Sequence, residues 1–382
     1  MYTVGYTLGS MTPSATLQTE FTEEELLASH PIEAPLFAGS VRCHGGFDAE
    51  GRYVSPRTRN RWPAIEAWKA QREEQFSTEL LDIPLETWPE HYPNLEQARY
   101  LLSEGVRAPI IAALTRIGTV EGFGSMIRYS QIPDLQRHFD EDVRGTAMAH
   151  LDRGLYEAHA RDEAGFGDEG GHKQMWFAAR DVAFENPVTE DETAVMLERM
   201  GLATPGSNGT IDIAKMIREA MANRALPDDT PFELEAVIER MARLLLIEIS
   251  AYHVFTWAEA LLSDPDLTAG EGEAAHLVSY IRQDEAPHVE YLKTTLSEMR
   301  DRTFVGTGGK KHKGTEMVGR VWERAVTESL GERRDQNLKL TLREVEHALD
   351  GHRRRDEILE QFHGLGSIRP TDDGSFVAVA TY

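Results

Sequence analysis

Beyond residue 60, apolar positions recur every three to four residues along most of the chain, a spacing that predicts helices rather than strands. The first 60 residues are rich in Gly, Pro, Ser and Thr and read as an irregular segment with room for a short strand or two. The pattern then predicts a helix over 62–76, a loop over 84–93, and a long helical stretch over 95–131 that bends near Pro109 and stops at Pro133. A polar helix is expected over 134–152, a turn at Arg153-Gly154, and further helix over 155–185 with a glycine-rich patch at 165–171. Residues 187–229 read as short helices and turns, one of them at 206–209.

Two longer helices follow. One opens at Thr230-Pro231-Phe232-Glu233, the signature of a capping box with proline at the first helical position. Its apolar seam runs Leu234, Val237, Met241, Leu244, Ala251, Phe255, and it is expected to end near Asp264-Pro265. The other spans about 271–302, with Leu277, Ile281, Leu292, Leu296 and Met299 on one face. Each is on the order of 45 Å long, and a short turn between them suits an antiparallel pair in a helical bundle. A basic loop at 307–314, helices at 315–330 and 335–362, and an irregular tail complete the chain. The expected fold class is all-α. The expected organisation is an N-terminal extension over 1–94, a four-helix bundle over 95–302 and a helical C-terminal extension over 303–382.

Composition narrows the function. The 382 residues hold 40 Lys and Arg against 64 Asp and Glu, a formal charge of −24. Duplex nucleic acid and anionic membrane surfaces are poor partners for such a chain, because phosphate binding needs clustered cations. The opening lacks the basic and apolar regions of a signal peptide, and uninterrupted aliphatic runs are too short to span a bilayer. A soluble cytoplasmic protein is expected. The lone Cys43 excludes, within one chain, a disulfide framework, a cysteine zinc site and a cysteine-ligated iron–sulfur cluster.

One short motif occurs twice. Asp168-Glu169-Gly170-Gly171-His172 and Asp284-Glu285-Ala286-Pro287-His288 are both Asp-Glu-x-x-His. On a helix, Glu and His three residues apart share a face and can reach one metal centre. In the second copy Ile281, Glu285, His288 and Leu292 step by four, three and four, so the polar pair lies in the buried seam, where a metal would offset the cost of a buried carboxylate. Glu248 interrupts the apolar stripe of the preceding helix, and an antiparallel hairpin sets it level with Glu285. By pseudo-symmetry the first half supplies Glu169, His172 and one earlier acid. Glu121 continues the seam Ile110, Leu114, Ile117 and is the first choice; Glu141 and Glu157 are alternatives. Gly170 and Gly171 weaken a helix inside the first motif, and Pro287 sits inside the second. The stretch 165–171 reads either as a loop that makes the first motif accidental or as a helix distorted at the site.

One Glu, one ExxH, one Glu and one ExxH, in that order on four helices, resemble the ferritin-like di-iron carboxylate proteins, which include multicomponent monooxygenases, desaturases, arylamine N-oxygenases and rubrerythrins. The resemblance covers about 95–302. It implies that Glu121, Glu169, His172, Glu248, Glu285 and His288 ligate two Fe ions, with Mn in place of Fe also compatible with such ligands. It implies an oxygenase or oxidase that activates O2 against a small organic substrate, by hydroxylation, N-oxygenation or desaturation. With one cysteine in the chain, electrons would come from a separate reductase or ferredoxin. The other class is iron storage or peroxide reduction. A monomer or homodimer is expected of the enzyme, a shell of many subunits of the store.

Overall fold

The computed structural model describes residues 17–185, 188–200, 221–371 and 375–378, and it is mostly helical. The expected turn at 206–209, the opening fourteen residues and the end of the tail lie outside the described residues. After a one-turn helix α1 (Glu23–Leu26), the N-terminal segment forms an antiparallel sheet in the order β1 (Ala34–Ala38), β2 (Val41–Phe47), β3 (Tyr53–Val54). Helix α2 (Arg61–Phe76) follows.

The expected 95–131 stretch is two helices, α3 (Leu95–Ser103) and α4 (Ala108–Gly124). They part at Gly105, whose φ of 78° ends the first, and Pro109 sits in the first turn of the second, where its missing N–H has no partner to lose. The polar helix expected over 134–152 does not form. Side chains capture its backbone amides instead: Val143 N donates to Gln136 Oε1 at 3.0 Å, and Ala147 N and Met148 N donate to Glu298 at 3.0 and 2.9 Å. The chain re-enters helix as α5 (Tyr156–Ala164), loops through 165–171, and resumes as α6 (His172–Phe184) and α7 (Glu190–Arg199).

The two long helices are α8 (Phe232–Leu262) and α9 (Glu273–Asp301). The expected capping box is absent from α8: Thr230 is buried, and its carbonyl accepts from Arg224 at 2.5 Å. Helix α9 runs through Pro287. The basic loop is a hairpin, β4 (Thr303–Val305) and β5 (Lys311–Lys313), tied down by Lys311 on Asp140 at 2.7 Å and His312 on Asp229 at 2.8 Å. Helices α10 (Gly314–Leu330), α11 (Glu332–Ala348) and α12 (Arg355–Gly364) follow. Gly351, with φ 74°, breaks the helix expected over 335–362 into the last two. A short pair, β6 (Ile368–Pro370) and β7 (Phe376–Ala378), ends the described chain.

Helices α8 and α9 pack along their lengths, α6 packs on α4 and α9, α10 lies on α8 and α9, and α11 lies on α4. Two main apolar cores result. One joins the first part of α8 (Val237, Met241, Leu245) to the last part of α9 (Leu292, Leu296, Met299), and gathers Trp68 and Met317 from either side. The other joins Phe255 and Leu261 of α8 to Leu277 and Ile281 of α9, with Leu114 and Trp176. The three segments expected as separate regions thus share the first core. Both long helices change core near Glu248 and Glu285, and the charged residues lie at that change. By length and composition alone, Ala108–Tyr129, which carries Glu121, and Phe232–Leu262, which carries Glu248, are long and apolar enough to cross a membrane, which the shorter aliphatic runs did not suggest.

The loop before α6 depends on glycine. Gly165 has φ 81° and ψ 177°, and a Cβ there would collide with the Glu169 carbonyl and the Gly171 nitrogen. Gly167 has φ 61° but open space around it. Gly165→Ala is expected to destabilise the protein in urea by about 3 kcal/mol and Gly167→Ala by about 1 kcal/mol. Equal effects would contradict this loop geometry.

Candidate metal centre

Helix α5 presents His159 and Glu163 four residues apart, and α9 presents Glu285 and His288 three apart, so each pair shares a helix face. Helix α4 adds Glu121, α8 adds Glu248, and α6 begins with His172. Their ligand atoms form two groups: Glu121, Glu163, His172 and Glu285, and His159, Glu163, Glu248 and His288. All are buried except Glu121, whose side chain keeps 13% exposure.

Two carboxylates link the groups. Glu163 Oε1 lies 3.5 Å from His159 Nε2 and 3.4 Å from His288 Nδ1, while its Oε2 lies 3.7 Å from His172 Nδ1. Glu285 Oε1 lies 2.7 Å from His172 Nδ1, and its Oε2 lies 2.6 Å from His288 Nδ1. The outer carboxylates approach one group each. Glu121 Oε2 is 3.6 Å from His172 Nδ1, and Glu248 Oε1 is 3.5 Å from His159 Nε2.

Each imidazole turns one nitrogen to the cluster and the other outward. His288 Nε2 donates to Asp162 Oδ2 at 2.9 Å. His172 Nε2 lies 3.5 Å from Asp284 Oδ2. His159 Nδ1 lies 3.2 Å from the Tyr291 hydroxyl. Each outward contact orients its ring so that the other nitrogen aims into the cluster, where it could serve as a ligand. Asp162 is held by Arg57, whose Nε donates at 2.8 Å, and by Arg61 Nη2 at 2.8 Å. Asp284 accepts from the Tyr53 hydroxyl at 2.7 Å and faces His44 Nε2 at 3.4 Å. The two aspartates thus exchange roles across the site: the Asp beside Glu163 holds the histidine of α9, and the Asp beside Glu285 holds that of α6.

The N-terminal sheet completes the arrangement. His44 N donates to Gly170 O at 3.0 Å and Gly170 N donates to Arg42 O at 2.8 Å, so the edge of β2 pins the loop that delivers His172. That loop carries Glu169 away from the cluster. Its carboxylate meets Arg42 at 3.1 Å and is 39% exposed. Glu169, expected in the cluster, therefore does not reach it, because 165–171 is loop and an i, i+3 relation outside a helix brings no shared face; Glu163 of α5 stands there instead. Glu141 accepts from Thr303 N at 2.8 Å, and Glu157 pairs with Arg161 at 2.6 Å, both outside the two groups.

Electrostatics make the cluster a poor home for free charge. Burial, then the charges of Glu163 and Glu285, push Glu121 well above the usual carboxylate range. Burial, then Glu285 and Glu163, do the same to Glu248. For Glu285 burial opposes ionisation, but the imidazoles of His172 and His288 overcome it and hold the carboxyl well down. Burial likewise opposes charge on His172 and His288, and the carboxylates, Glu285 foremost, hold both well above the ordinary imidazole value. Burial and the neighbouring His288 push His159 down to about 3.

The donor set fits metal ions. His159 Nε2, His172 Nδ1 and Glu285 Oε1 are buried, aim into the cluster and lack a hydrogen-bond partner with acceptable geometry. Such orphaned atoms are costly unless something binds them. Four carboxylates carry a charge of −4, which two divalent cations balance. Carboxylate and imidazole suit iron and manganese.

Beside Glu121 opens a cavity of about 400 Å³ between α4, α8, α11 and residues 88–92, walled by Ile117, Leu246, Val254 and Leu338. In its wall, burial and then the Arg116 charge push the His91 imidazole down to about 3, so it is neutral there.

Metal loading should release protons, because His172 and His288 must give up protons that the bare cluster holds. Their raised values place the competition at and above the ordinary imidazole range. Affinity for Mn(II) or Fe(II) is therefore expected to climb from about pH 6 to about pH 8. Glu163→Ala should lose bound metal, and Glu169→Ala should keep it; metal analysis showing the reverse would restore the first motif. Against known proteins, the chain matches no family model, no curated protein and no solved structure.

Proposed function

We propose that the protein is a ferritin-like, non-haem di-iron oxygenase or oxidase that works on a small organic substrate. The observation that carries this reading is the placement of Glu163 and Glu285, each with one oxygen toward one group of imidazoles and the other oxygen toward the second. Carboxylates so placed suit two cations side by side. Glu121, Glu163, His172 and Glu285 would hold one iron, and His159, Glu163, Glu248 and His288 the other, with Glu285 also within reach of the second. Bound there, two ferrous ions would supply electrons to reduce O2 and the oxidising strength to attack a C–H or N–H bond.

The chain's own residues do the rest. Asp162 and Asp284 keep the Nδ1 atoms of His288 and His172 turned inward, and Arg57 and Arg61 keep Asp162 ionised for that task. Glu121 faces the cavity and gives a substrate a route to the centre past mostly apolar walls. An organic molecule fits that cavity; an iron store has no use for it. The two electrons per turnover would come from a reductase or ferredoxin, and a cytoplasmic location would suit the free thiol of Cys43.

Anaerobic reconstitution tests the reading. Wild-type protein is expected to bind two Fe(II) per chain and to oxidise them when O2 is admitted, and Glu163→Ala and Glu285→Ala are expected to lose both properties. Binding of well under one iron per chain, or no reaction with O2, would overturn it.

A further inference from the structure

The cavity beside Glu121 is mostly apolar but carries cations, with Glu90 and Glu121 the carboxylates in its wall. Arg333 and Arg334, in the first turn of α11, line it. Arg116 of α4 lines it near His91 and His253. Arg116 is already engaged: its Nη2 donates to Thr341 Oγ1 at 3.4 Å and it feels the charge of Glu344. Arg333 and Arg334 differ. The nearby acids Glu239 and Glu328 are taken by Arg243 and Arg324, at 2.7, 2.5 and 3.2 Å. Among the described residues neither Arg333 nor Arg334 makes a salt bridge. Arg333 and Arg334 thus stand side by side in the cavity wall with no carboxylate within salt-bridge distance among the described residues.

We infer that the substrate of this cavity is an amphipathic organic carboxylate. Its anionic head pairs with Arg333 and Arg334, and its apolar body lies along Leu246, Ala251 and Val254 past Glu121. Arginine suits the head because its planar fork matches a carboxylate with two parallel hydrogen bonds. The body has room: on α8 the cavity runs from Leu246 to Val254, eight residues or about 12 Å. The inference rests on reading Glu121 as a metal ligand only for where the reaction occurs; the binding itself needs no metal.

Calorimetric titration of the full chain with octanoate and with octan-1-ol, metal-free and after anaerobic Fe(II) loading, tests it. Octanoate is expected to bind once per chain, at least tenfold tighter than octanol, and to weaken as salt is raised. The Arg333→Gln/Arg334→Gln double variant should erase that preference and leave octanol binding unchanged, while Arg333→Lys/Arg334→Lys should retain part of it. Absence of octanoate binding, equal affinity for the two ligands, or undiminished octanoate binding by the Gln variant would overturn the inference. Octanoate binding by a chain that refuses iron would leave it standing and sink the di-iron reading alone.

Discussion

Four glutamates and three histidines meet inside a helical core, and their mutual repulsion and desolvation govern how the surrounding structure is built. Carboxylates removed from water and set within a few ångströms of one another cannot all remain charged without cations. In the bare chain, protons on His172 and His288 and raised values at Glu121 and Glu248 relieve the strain in part. Two divalent ions, if bound as proposed, would relieve it fully. Asp162 stands apart from this balance because Arg57 and Arg61 already match it, so its work is to orient His288.

That constraint explains why segments far apart in sequence converge. The loop at 165–171 departs from helix, yet His172 still arrives at the cluster because β2 pairs with Gly170. Tyr53 reaches Asp284 from the same sheet, and α2 sends Arg61 to Asp162. At the other end of the chain, α11 covers α4 and walls the cavity, and α12 is tied to α3 by Gln97 donating to Phe362 O at 3.0 Å. The extensions are structural parts of the site rather than appendages to it.

Much of this was legible in the sequence where local pattern decides. Glu248, Glu285 and His288 interrupt apolar stripes of long helices, and Glu121 continues one, so periodicity alone set them inward; the structure brings them together with His172. Glu169 misled because its motif matched in letters but spans a loop. Glu163 had its own signal. It follows an aspartate as Glu285 does, and its distance of 42 residues from Glu121 is nearer than 48 to the 37 that separate Glu248 from Glu285. His44, Tyr53, Arg57 and Arg61 were beyond reach, because their roles arise from contacts more than 100 residues away in sequence. The polar stretch 134–152 misled for a related reason: Glu298, distant in sequence, takes amides that a helix would have used.

The central claim is that Glu163 and Glu285 join two cation positions. Anomalous diffraction from crystals of the protein loaded with Mn(II) measures this directly. The account predicts two anomalous peaks about 3.5–4 Å apart, lying between Glu163 and Glu285, with His172 on one and His159 and His288 on the other. A single peak at His44, His172 and Asp284, or no peak among these side chains, would contradict it.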